Sequence, residues 1–459
     1  MPELFRTLSS VARALDAQRY GLDVTGQNIA NVNTPGYTRR TIDLIPVAPE
    51  APGTAGRGVD VVGIRALRDR LLEARLTNEV PSQTREAAMA EALGVVESAI
   101  GTPGSSLDVS LEKFFDSFAE LAEMPTSASH RESVVIQGEG LASAFRDMAG
   151  RLSAARHDAD RQARGTVDDI NSILERIATL NSVIGNSSTM EKSLHARDEQ
   201  TQLVRQLSEL VDVRVLEREE GGVDISIGNG RPIIVGETTY ALTVSSTPPL
   251  GYAAFAVNGT NITSEITAGR LGGFLQVRDT NIPDYIRRLD EVAYAVATEV
   301  NTIHQAGYDQ TGALAGSFFT PPATVAGAAA GMTVRPALAG DRRLISAGAT
   351  AEAGNNDTAR AIAALRQATV MSGGTATLAE GWGQLVYRVG RDTKSAVDER
   401  NSRQEIVRQV DALRDAVSGI SLDEEAMNLL KFQRAYEANA RFFQVIDSTL
   451  QTMLSLSGR

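Results

Sequence analysis

The sequence has no cysteine in 459 residues. That absence removes disulfides, thiolate nucleophiles and zinc–thiolate sites together. It also fits a chain that leaves the cell or crosses several redox conditions, with chance as the plain alternative. Basic charge is scarce too: the formal net charge is −12, the reverse of the field a general nucleic-acid binder shows. Aromatic residues make up 5%, and Trp382 is the single tryptophan. No run of roughly 18 apolar residues occurs, so no segment is expected to span a membrane. The opening MPELFRTLSSVARALDAQRY does not read as a secretory signal, because Glu3, Arg6, Arg13 and Asp16 interrupt any apolar core. Work outside the cell would call for an export route that reads no cleaved signal.

Catalytic signatures are missing as well. The histidines His130, His157, His195 and His304 are far apart and none has metal-ligand spacing. The clusters GRGVDVVG and GRLGGF lack the glycine spacing of phosphate loops, and no GxSxG occurs. Asn258-Gly-Thr and Asn261-Ile-Thr match the glycan-acceptor pattern at a rate chance supplies. Glu424 and Glu425 open a helix, where the helix dipole favours carboxylates without any catalytic role. No catalytic, cofactor-binding or metal residue is nominated, and no cofactor is expected.

What is present is helical periodicity. Leu4, Leu8, Val11, Leu15, Gln18, Leu22, Thr25, Ile29 and Val32 recur at four- and three-residue steps, a heptad seam with two polar interruptions. The pattern fails at NVNTPGY. Asn31 and Asn33 tolerate turn geometry, Thr34 precedes proline, and Pro35-Gly36 suits the centre of a type II turn before Tyr37. YTRRTIDLIPV then reads as extended, and 48–58 as a Pro/Gly loop. From Val61 to about Val213 the reading is mostly helical, as long antiparallel rods. At Arg214 the pattern changes to alternation, with Val223, Ile225 and Ile227 against Asp224 and Ser226, and GNG at 228–230 signals a hairpin. Helix returns at 270–316, a loop-rich, β-like stretch spans 317–350, and helix resumes beyond it. The last helix starts at Ser421, which forms a capping box with Glu424. Leu422, Ala426, Leu429, Gln433, Tyr436, Ala440, Phe443, Asp447, Leu450 and Leu454 then step by four and three.

The fold class read from this is mainly α with a smaller β portion. A terminal coiled coil (1–36 with 421–459) sits on a helical rod domain (37–213 with 270–316 and 351–420). A β-rich outer domain covers 214–269, with 317–350 as a further candidate part. A terminal helix with one seam and no fold around it is marginal alone. It is satisfied by pairing the two ends, by pairing with other copies, or both. The nominated assembly residues are Leu4, Leu8, Val11, Leu15, Leu22, Ile29, Leu422, Leu429, Tyr436, Phe443 and Leu450. Asn31, Asn33, Pro35, Gly36 and Tyr37 form the turn. Gln18, Thr25, Gln433 and Asp447 weaken the seams, so the free subunit is expected to have largely disordered ends that assembly orders.

NIANVNTPGYTRR and ISLDEEAMNLLKFQRAYEANARFFQVIDSTLQTMLSL resemble the terminal signatures of the flagellar rod, hook and hook-associated axial proteins. SLEKFFDSFAELAEMPTSASHRESVV, ISIGNGRPIIVG and GRLGGFLQVRDTNIPDYIRRLDEVAYAVATEVNTIHQAGYD are similar to the hook-associated branch at the hook–filament junction. The resemblance implies a structural, non-enzymatic subunit exported through the flagellar type III apparatus and polymerised at the hook tip, outside the cell. It implies terminal helices lining an axial channel, helical rods around them and the β portion outermost. The implied partners are the hook protein, a second hook–filament junction protein, copies of the chain itself, and an export chaperone near the C-terminus. The β portion is small for that family. Rival readings are another rod or hook subunit, a secreted enzyme on a flagellar scaffold, and a plain coiled-coil adhesin, which leaves the NTPGY turn unexplained.

Overall fold

Apolar residues at helical spacing dominate, and the computed structural model is built mainly of helices. It describes residues 2–34, 36–48, 56–101, 107–186, 190–219, 221–247 and 251–457. In chain order the elements are α1 (Pro2–Ala30), β1 (Arg40–Pro46), β2 (Val59–Ala66), α2 (Arg70–Ile100), α3 (Leu107–Glu123), α4 (Ala128–Gly185) and α5 (Met190–Leu210). Strands β3 (Val213–Glu217), β4 (Val223–Ile227), β5 (Arg231–Val235), β6 (Thr238–Thr239), β7 (Leu242–Thr247), β8 (Tyr252–Val257) and β9 (Thr260–Asn261) follow. Then come α6 (Gly269–Gln276), α7 (Ile282–Ala306), α8 (Pro336–Gly340), α9 (Asp357–Ala364), α10 (Leu378–Ser418) and α11 (Leu422–Ser457). They divide into two compact units. The first is Met1–Pro81, Asp169–Leu242 and Arg403–Arg459; the second is Ser82–Asp168 and Thr243–Ser402.

In the first unit, β1 and β2 form an antiparallel ribbon with Ile42 opposite Ile64 and Leu44 opposite Val61, leaving Val62 as an unmatched bulge residue. This corrects the helical reading from Val61 onward: VDVVGIRA is a strand, its β-branched residues paired across the ribbon, and the helix waits until Arg70. Strands β3–β6 make a second sheet in sequential order. The GNG hairpin closes as the glycines allow, with φ of 56° at Gly228 and 90° at Gly230. Val223, Ile225 and Ile227 are buried, and Asp224 and Ser226 are half-buried. Asn181 of α4 fixes this sheet: its Oδ1 accepts from Val223 N–H at 2.8 Å and its Nδ2 donates to the Val223 carbonyl at 2.8 Å.

In the second unit, one core joins helices α3, α4, α7, α9 and α10. Phe114 packs against Phe118, Phe318 and Phe319, and Phe118 against Phe318, with ring centroids 5.3–5.6 Å apart; Phe318 and Phe319 are 4.9 Å apart. Residues 317–350 therefore differ from the β-like expectation. They hold no strand: they contain the short α8, a 3-10 turn at Arg342–Leu344, and isolated bridges from Phe319 to Val334 and from Gly348 to Tyr308. Side chains close this stretch in place of a ladder. Asn301 Oδ1 accepts from Phe318 and Phe319 N–H, and its Nδ2 donates to the Phe319 carbonyl. Fully buried His304 donates from Nδ1 to the Gly316 carbonyl (2.7 Å) and accepts the Ser346 N–H at Nε2 (3.0 Å). The strands of 213–261 thus form two sheets, the second being β7–β8–β9. Arg278 holds that one, bonding Asp160 at 2.6 Å and the Ala253 carbonyl at 2.9 Å.

Candidate assembly interface

The apolar stripes of the two terminal helices meet within the first unit. α1 and α11 run antiparallel: Val11 clusters with Ile446 and Leu450, Gly21 faces Phe432, and Asn28 bonds Glu425. A Cβ on Gly21 would lie 2.6 Å from the Phe432 ring, so only glycine lets the ring lie on α1 there. Of the nominated residues, Val11 and Leu450 are buried, and Leu4, Leu8, Leu15 and Phe443 pack partly buried against them. Leu22, Ile29 and Leu429 are half-buried. Leu422 is 51% exposed and Tyr436 39%. The contact line on α11 runs through Glu425, Phe432, Phe443, Ile446 and Leu450, turned from Leu422, Gln433, Tyr436 and Asp447. Gln433 and Asp447 face solvent and do not weaken the seam. In the structure both ends are helices, paired along the line just described. α11 carries apolar residues on more than one side, so periodicity alone could not choose the inner one.

Where α1 ends, the turn forms much as its residues dictate. Tyr37 N–H donates to the Thr34 carbonyl at 3.2 Å and Gly36 has φ of 82°, the i+2 geometry of a type II turn. Pro35 lies outside the described residues. Asn31 serves the turn locally, accepting from the Thr34 hydroxyl and donating to the Gln27 carbonyl. Asn33 is exposed.

The residue that ties turn, ribbon and helix pair together is Asn28, which periodicity passed over. It is 1% exposed, and all four of its amide hydrogen-bond positions are used. Its Nδ2 donates to the Arg40 carbonyl (2.9 Å) and to Glu425 Oε2 (3.0 Å). Its Oδ1 accepts from Arg40 N–H (3.0 Å) and the Tyr37 hydroxyl (3.1 Å). Glu425, 2% exposed, also takes Arg39 Nε at 2.8 Å, while Arg39 Nη1 reaches Glu424 at 2.7 Å. That engagement leaves the capping box half-made: Glu424 N–H lies 3.5 Å from the Ser421 hydroxyl, but the Glu424 side chain is on Arg39. The buried Arg40 guanidinium lies over the Tyr37 ring and bonds Asp198 at 2.8 Å, whose other oxygen takes Arg68 at 2.6 Å. Burial raises the Tyr37 phenol above its ordinary pKa; Arg40 opposes the rise, and Asp198 and Glu425 add to it.

A cleft of about 540 Å³ opens beside the turn, lined by Asn33, Thr34, Gly36, Tyr37, Arg39, Arg414, Asp415 and Glu424 among others. Among the described residues no group of His, Asp and Glu could hold a metal ion, and no helix is long and apolar enough to cross a membrane.

Residues 93–319 match the family profile of the flagellar hook-associated protein FlgK helical domain. Residues 8–38 match that of the flagella basal body rod protein, and 415–456 that of the flagellar basal body rod FlgEFG protein C-terminal region. The sequence is 26% identical to flagellar hook-associated protein 1 of Bacillus subtilis strain 168, over 100% of this chain and 99% of that protein. It is 24% identical to flagellar hook-associated protein 1 of Escherichia coli K12, over 98% and 99%. Over its whole length the chain is matched as a flagellar hook-associated protein 1. It is a structural subunit of the flagellar hook junction. The structure of the hook junction protein FlgK from Burkholderia pseudomallei shares the fold, with TM-score 0.67 at 15% identity, covering 76% of this chain and 100% of that one. The rod profiles touch only the terminal stretches, whereas the hook-associated profile covers the helical middle. The two alignments run over 507 and 553 positions against 459 residues here, so gaps in this chain stand opposite extra segments in the relatives.

Proposed function

We propose that the paired terminal helices are the element through which copies of this hook-associated protein assemble into a layer on the hook tip. The observation that carries this reading is a second apolar face on α11. Met427, Leu430, Phe442, Val445 and Met453 are between 45% and 64% exposed, although the helix already spends another face on α1. An exposed apolar stripe of this length marks an interaction surface, and each large side chain buried contributes about 1.5–3 kcal/mol. Neighbouring copies cover it. Leu422 and Tyr436, exposed in the single chain, join that contact, and the cleft beside the NTPGY turn and the ribbon edge receive adjacent subunits.

In the layer the terminal helices line an axial channel, the helical rods surround them and the small sheets lie outermost. One surface meets the hook protein and the other a second junction protein, so that a flexible tube is adapted to a rigid filament outside the cell. Before that, the chain passes through the flagellar type III apparatus, accompanied by a chaperone near its C-terminus. No catalytic role is proposed. The test is Phe442→Glu with Val445→Glu. Both sites are exposed, so far-UV circular dichroism should match the parent, while polymer formation in sedimentation is lost and cells carry hooks without filaments. Normal polymers and normal swimming would overturn the reading.

A further inference from the structure

We propose that the buried contact between Asn28 and Glu425, together with the Phe432 ring seated on Gly21, is a register key that fixes where the two terminal helices lie along one another. The apolar part of the seam cannot do this alone. Leu4, Leu8, Val11 and Leu15 are aliphatic side chains repeated at heptad spacing, and a slide by one heptad, about 10 Å, sets one against the next. The two keyed contacts have no such equivalents. One heptad from Gly21 stand Ala14 and Asn28, each with a Cβ where the Phe432 ring would have to lie. One heptad from Glu425 stand Ser418 and Phe432, neither of which can take both Asn28 and Arg39. A slipped pair would also leave the Glu425 carboxylate, now 2% exposed, without the partners that make its burial tolerable. A buried polar pair in an apolar seam is a recognised device for setting register. Asn28 adds reach, because the same amide grips both backbone groups of Arg40. Fixing the register of the helices therefore also fixes the start of β1.

The inference deepens the proposed function, since the register decides which α11 residues remain outside for neighbouring copies, but the contact itself lies within one chain. The test uses the absence of cysteine. Asp16→Cys and Glu437→Cys place spin labels on two exposed positions near one level of the antiparallel pair. Pulsed dipolar spectroscopy is run with excess unlabelled chain so that only intrachain distances are read. The parent should give one narrow distance. Adding Glu425→Leu with Gly21→Ala removes both halves of the key and should add a second, longer population at unchanged helicity. An unchanged single distance at unchanged helicity overturns the proposal. Should the double change prevent folding, Glu425→Leu alone leaves α1 and Phe432 untouched and is read by the same two outcomes. Failure of the polymer assay on the Phe442 and Val445 variant would leave this measurement standing, and the reverse holds equally.

Discussion

Four asparagines act alike in different parts of the chain. Asn28 exchanges two hydrogen bonds with the backbone of Arg40, Asn171 with Leu242, Asn181 with Val223, and Asn301 with Phe319. In each case a helical side-chain amide stands in for one residue of a neighbouring strand. Asn28→Ala would leave the Arg40 backbone groups and one Glu425 oxygen short of a partner. Orphaned buried groups cost about 1–3 kcal/mol each, so the loss should approach 3 kcal/mol in a urea titration. His304 gives a second residue-level prediction. Burial pushes its pKa down to about 4 from 6.5, opposed by the bond to Gly316. The folded chain then refuses a proton the unfolded chain accepts between those values. Its stabilising contribution is complete above pH 6.5 and is lost as pH falls toward 4, by up to about 3 kcal/mol. Melting temperatures from pH 7 down to 5 should fall less steeply in His304→Gln than in the parent.

At the scale of elements, the pairing of α1 with α11 depends on one ring lying on one glycine. Gly21→Val should prise the helices apart near Phe432, seen as faster amide hydrogen exchange along residues 424–450 while exchange in α3 stays unchanged. The terminal helices were legible because their apolar residues recur at three and four. Which side of α11 faces α1 was not, because Leu422, Tyr436 and Val445 make the outer side as apolar as the inner. Asn28 and Glu425 were passed over because a polar residue within a helix reads as solvent-facing until a partner is in view. The β2 segment was misread because VVGIRA is an apolar run without clear period, and such runs suit either element. The stretch 317–350 was read as loop-rich and β-like, but Asn301 and His304 supply the backbone partners a ladder would have given.

For the whole molecule, two compact units imply unfolding that is not a single transition. A chain lacking 421–459 loses the partner of α1 but none of the residues around Phe114, Phe318 and Trp382. Differential scanning calorimetry should show the parent's transitions reduced by the one that reports the first unit, with the other kept. In cells the same deletion should leave hooks without filaments and shed flagellin into the medium. The family and the structural role at the hook junction were readable from the terminal motifs and three internal stretches, and the comparisons with known proteins agree with them. How the β portion is divided was not, since it rests on side-chain contacts such as Asn181 with Val223 and Arg278 with Ala253, which join residues far apart in the chain.

The side-chain amides of Asn171 and Asn181 also bear on how such chains change length. Each amide ties its sheet to the helix at one or two residues, so chain beyond those residues can be extended or trimmed without repacking the helix that holds them. Length could then change outside these contacts while the helix that holds them keeps its packing.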